Sequence, residues 1–130
     1  MLKKIALLLL VLSSAGIVFA ASDLNKQHYK VRMAYYHSIK SCSPGTFTMP
    51  SIDFMGYDIN FKMIVYGKHD GKCHIRELVG GSDMRCALPM DVAKRYADEN
   101  IRSLEESMKN GVSYSAYVNE VINNSNYCRN

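Results

Sequence analysis

Nowhere in this 130-residue chain do two cysteines stand at Cys-x-x-Cys spacing. That absence argues against both a clustered zinc site and a thioredoxin-like redox pair. There is no Gly-x-Ser-x-Gly elbow to expose a nucleophilic serine. None of His28, His37, His69 and His74 is paired with another histidine or a carboxylate at helical metal-ligand spacing, so no metal and no cofactor is expected. Glu105 and Glu106 are neighbours on the wet side of a helix, where adjacent side chains diverge, so they do not form an acid–base pair. A dense basic stripe is missing too. Without Lys3 and Lys4, the 16 basic residues fall to 14 against 12 acidic ones, a net of +2, which does not suit a nucleic-acid partner. There is no tryptophan, internal repeat, linker or low-complexity segment.

What is present begins with an export signal. Lys3 and Lys4 precede an apolar run from Ile5 to Val11, and Val18-Phe19-Ala20 offers small residues at a cleavage site. Residues 1–20 therefore read as a signal peptide, with cleavage after Ala21 as the alternative. Ile5 to Ala20 falls short of the ~20 apolar residues of a spanning helix, so no membrane attachment is expected after cleavage. Residues 21–130, about 110 in all, suit a single domain. All four cysteines, Cys42, Cys73, Cys86 and Cys128, fall in that part. An even count in an exported chain points to two disulfides and a periplasmic or secreted location.

The pattern of the mature chain is α+β: an N-terminal helix, three or four antiparallel strands and two C-terminal helices, stapled by disulfides. Leu24, His28, Val31, Tyr35, Ile39 and Cys42 recur at helical spacing over 23–41, with Ser22 or Asp23 as cap and Ser43-Pro44-Gly45 as stop. Thr46 to Met49 is expected as a short strand closed by Pro50. Tyr57 to Tyr66 alternates apolar and polar, as a half-buried strand does. Lys72 to Val79 and Asp83 to Leu88 follow as strands. For Val65 to share a face with Ile75 the connection must hold an odd number of residues, and His69-Asp70-Gly71 suits a three-residue loop. A two-residue Gly80-Gly81 turn would set Ile75 opposite Cys86, whereas a four-residue loop would set Cys73 opposite Cys86. The second option favours Cys73–Cys86 with Cys42–Cys128, the other two pairings staying open. A stripe from Val92 to Met108 forms a helix stopped by Asn110-Gly111, and a shorter helix capped by Ser113 carries Tyr117, Val118, Val121 and Ile122. Cys128 is expected to tie down the tail.

Ser41-Cys42-Ser43 with His37 one turn upstream has the outline of a cysteine nucleophile, but an even cysteine count in an exported chain spends that thiol on a bridge, and a bridged cysteine has no thiolate to attack with. Nine tyrosines are conspicuous, and the wetter positions Tyr36 and Tyr66 mark an expected binding face. Residues 42–89 resemble a group of small exported proteobacterial proteins with no assigned activity. The shared features are Cys42-Ser43-Pro44-Gly45-Thr46-Phe47, Tyr66-Gly67 ahead of Gly71-Lys72-Cys73, and Cys86-Ala87-Leu88-Pro89. That resemblance implies a periplasmic or secreted, disulfide-held fold and no catalytic residue. The expectation is a non-enzymatic domain that binds a protein or envelope component. Alternatives are a small periplasmic hydrolase with a dispersed site, such as His74 with Asp70, and a secreted host-directed factor. Oligomeric state leaves no mark on the sequence.

Overall fold

The strand-and-turn signals resolve into one antiparallel sheet. The computed structural model describes residues 23–130, so the expected signal peptide and the Ser22 cap lie outside the described residues. Helix α1 spans 23–41. Strands β1 (Gly45–Phe54), β2 (Tyr57–His69), β3 (Lys72–Val79) and β4 (Ser82–Pro89) follow, then α2 (Met90–Asn110), α3 (Ala116–Ile122) and β5 (Cys128–Arg129). The five strands lie in sequence order, and every neighbouring pair is antiparallel. This is the expected α+β arrangement, with a short fifth strand added at the edge.

Turn chemistry sets the register. Met55-Gly56 and Asp70-Gly71 both take positive φ, the signature of two-residue hairpin turns whose twist matches the strands. At β2–β3 this corrects the expected three-residue loop, because His69 pairs with Lys72 and only Asp70 and Gly71 remain in the turn. The parity argument still holds. The odd residue sits within the strand as a bulge at Tyr66, so Val65 pairs with Ile75 while Gly67 pairs with His74. Gly67 follows the bulge at φ +105°, and a side chain there would place its Cβ 3.1 Å from the Pro44 Cγ. In β1 the strand does not close at Pro50. It continues to Phe54 through an irregularity between Met49 and Ile52, which accommodates a residue with no N–H to give the ladder.

The disulfides overturn the favoured pairing. Val79 pairs with Ser82 across Gly80-Gly81, which sets Ile75 opposite Cys86 and Leu88 opposite Cys73. Cys73 and Cys86 are thereby diagonal neighbours, too far apart to bond. The bridges are instead Cys42–Cys73, tying the end of α1 to β3, and Cys86–Cys128, tying β5 to β4. Cys42 holds a left-handed φ of 51° just past α1, and the Ser43 N–H donates back to the Ser38 carbonyl at 2.9 Å. Glycine is the usual residue there. A cysteine occupies the position because its sulfur is needed on β3.

The helices cover one face of the sheet. Tyr35 and Ile39 from α1, Val65, Ile75 and Leu88 from the strands, and Ala93 and Ala97 from α2 are almost wholly buried there. Each large apolar side chain so buried stabilises the fold by about 1.5–3 kcal/mol. Gly111 ends α2 at φ +83°, donating its N–H to the Ser107 carbonyl at 2.8 Å. The cap of α3 is Ser115 rather than Ser113. Its Oγ accepts from the Val118 N–H at 3.2 Å. Arg95 lies 4.0 Å over the Tyr117 ring, joining α2 to α3.

Candidate functional site

Strand alternation sends one set of side chains toward the helices and the other to a face that none of the described helices covers. On that open face, Arg76 pairs directly with Arg85, and Arg85 directly with Arg129, across β3, β4 and β5. Strand spacing of ~4.8 Å spreads this row over about 10 Å. Like charges set directly opposite repel, so the arrangement costs stability unless anions answer it. The chain supplies one. Asp83 accepts from Arg76 Nε at 2.8 Å and from its Nη2 at 2.7 Å, and it also lies 3.5 Å from Arg85. Those hydrogen bonds hold the Asp83 carboxyl down at about 2, below the usual carboxylate range. Arg129 has no ion pair among the described residues.

Next to the row lies a cleft of about 610 Å³. Ala87 gives it a small side chain between His74 on β3 and Tyr127 ahead of β5, and Ser125 and Asn126 add polar groups from the tail. Tyr66 forms the opposite wall. It is 53 % exposed, at the bulge between Val65 and Gly67. The tail wall is fixed by Cys86–Cys128 and by the Ala87 N–H, which donates to the Tyr127 carbonyl at 2.8 Å.

The other face holds a different polar group. Glu77 shares parity with Cys73 and Ile75 and so points into the helix-covered side. The Tyr35 hydroxyl donates to Glu77 Oε1 at 2.8 Å, and the Tyr96 hydroxyl approaches the same oxygen at 3.5 Å. Burial raises the Glu77 carboxyl above its ordinary value, while the Tyr35 hydrogen bond and the Arg32 charge pull it partly back. Burial likewise pushes the Tyr35, Tyr36 and Tyr96 phenols up, with the Glu77 charge adding to it. This cluster anchors both long helices to β3.

Of the expected binding-face tyrosines, Tyr66 borders the cleft, and Tyr36 does not. Tyr36 is half-buried on the helix side, stacked on Tyr35 with ring centroids 5.2 Å apart. The sheet therefore separates the two. All four cysteines are bonded, Cys42 included, which leaves no thiol beside His37. His74 and Asp70 are not joined: Asp70 lies 3.3 Å from His69 Nε2, while His74 Nε2 faces the His69 carbonyl at 3.2 Å. Among the described residues no cluster of histidine, cysteine, aspartate or glutamate is arranged to hold a metal ion. No described helix is long and apolar enough to cross a membrane. The arginine row and Glu77 were missed from the sequence. Strand parity was the signal for Glu77, two residues beyond Ile75. The row required the β3–β4 register and the β4–β5 pairing as well. No protein-family model, curated protein or solved structure matches the chain.

Proposed function

We propose that this chain is exported, loses residues 1–20, and acts in the periplasm or outside the cell as a non-enzymatic domain that binds a polar component of the envelope on its open sheet face. Membership of the small exported proteobacterial group belongs to the same reading. The observation that carries it is the asymmetry of the sheet: helices bury one face, while the other keeps a polar cleft of about 610 Å³ walled by Tyr66 and a disulfide-held tail. An antiparallel sheet needs only one covered face to fold, so a structured recess on the second is available for recognition. The two disulfides support an oxidising compartment.

The test immobilises the exported, oxidised protein and passes envelope extract over it, beside an Ala87→Trp variant whose indole fills the cleft. Saturable retention by the native protein that A87W loses is the expected result. Equal retention by both, or retention by neither, overturns the reading. N-terminal sequencing of the exported protein is expected to begin at residue 21 or 22.

A further inference from the structure

We propose that the arginine row and the adjoining cleft form one site for a phosphorylated saccharide. This rests on the binding reading above and adds the class of ligand. Of three consecutive cross-strand neighbours, Arg76, Arg85 and Arg129, the first two share one carboxylate, Asp83. Asp83 gives both oxygens to Arg76, leaving Arg85 with a 3.5 Å approach and Arg129 with no ion pair among the described residues. Two guanidiniums directly opposite each other thus lack a full counterion, and the Arg85 side chain is 62 % exposed. The planar guanidinium fork matches phosphate oxygens two at a time, which a bulk monovalent anion cannot exploit.

The saccharide part follows from what lies beside the charge. At about 610 Å³ the cleft is larger than a bare phosphate needs. Its remaining walls offer neutral groups: the Ser125 hydroxyl, the Asn126 amide, and the Tyr66 and Tyr127 phenols, over the small Ala87. Hydroxyls and amides suit a ring bearing hydroxyls, and the phenol rings offer apolar faces to its C–H surface. A polynucleotide would need the basic stripe to continue, and Asp83 interrupts it.

The experiment uses the exported protein with both disulfides intact, titrated at low salt with glucose 1-phosphate, inorganic phosphate and glucose while backbone amide shifts are followed. Glucose 1-phosphate is expected to shift the Ala87, Asn126 and Arg129 amides saturably. Inorganic phosphate should bind about tenfold more weakly, and glucose should not respond. Arg129→Gln and Arg85→Gln should each weaken binding by about tenfold. Lys68→Gln removes the same charge on the helix side, where Lys68 pairs with Cys73, and should leave binding unchanged. Inorganic phosphate binding as tightly as the sugar phosphate, or K68Q weakening binding as much as R129Q, overturns the proposal. Envelope retention that A87W abolishes, with no response to glucose 1-phosphate, overturns the ligand class alone. Loss of retention as well removes the reading beneath it.

Discussion

Two carboxylates on opposite faces of the sheet pull stability in opposite directions with pH. Glu77 is raised by burial, so the folded protein holds that proton more tightly than the unfolded chain does. Its contribution is full below the ordinary glutamate value of about 4.3 and is lost as pH rises through the higher folded value. Asp83 is lowered to about 2 by Arg76, so its contribution is full above the ordinary aspartate value and is lost as pH falls toward about 2. Glu77→Gln keeps an acceptor for the Tyr35 hydroxyl and removes the ionisation. Urea denaturation at a series of pH values is expected to show a flatter decline above about pH 4.3 in E77Q than in the native protein. A decline of unchanged slope would reject the buried-carboxyl account. Tyr35→Phe takes the 2.8 Å donor from Glu77 and should cost about 1–3 kcal/mol at neutral pH.

At the level of single elements, the β2–β3 hairpin shows what was legible in the sequence and what was not. Alternation from Tyr57 to Tyr66 and from Lys72 to Val79 located both strands, the first ending short of its observed end at His69, and the need for Val65 to face the core demanded one odd residue between Val65 and Ile75. Alternation cannot say whether that residue belongs to the turn or to the strand, since either restores parity. Asp70-Gly71 makes a good two-residue turn, so the odd residue moved to Tyr66. The same ambiguity misdirected the disulfides: a loop of two or of four residues at Gly80-Gly81 keeps both cysteines on the core face, and only the register distinguishes bonded partners from diagonal ones. The strand β5 is two residues long, too short for any periodic signal. Deleting Tyr66 tests this reading of the hairpin. The ladder would then run unbroken, with Gly67 opposite His74 and Val65 opposite Ile75. The deletion variant is expected to form both disulfides and keep its far-UV dichroism while losing retention of envelope material. A variant that fails to fold would show that the bulge serves the core, not the cleft.

For the molecule as a whole, the two bridges do different work. Both are buried, but Cys42–Cys73 closes 31 residues between α1 and β3, whereas Cys86–Cys128 closes 42 and fixes the tail that walls the cleft. Chain-entropy estimates give each about 4 kcal/mol, comparable with the lower end of a domain's whole stability of about 5–15 kcal/mol. Besides the bridge, the tail is held locally, by two β5 pairs, Arg85 with Arg129 and Cys86 with Cys128, by the Ala87–Tyr127 backbone bond and by Tyr127 packed against the core. A Cys86→Ser, Cys128→Ser double variant therefore separates binding from folding. It should keep the core, lose up to about 4 kcal/mol, and release the Cys128 amide, which donates to the Asn124 carbonyl, and the Ala87 amide, which donates to Tyr127, to fast hydrogen exchange. The Ile75 amide, in the middle of the sheet, should stay protected. Removing Cys42 and Cys73 instead should lower protection across α1 and β3 together, because that bridge joins the elements that bury Tyr35, Ile39 and Ile75. If both double variants lose protection everywhere alike, the tail is part of the cooperative core and the cleft wall cannot be loosened on its own.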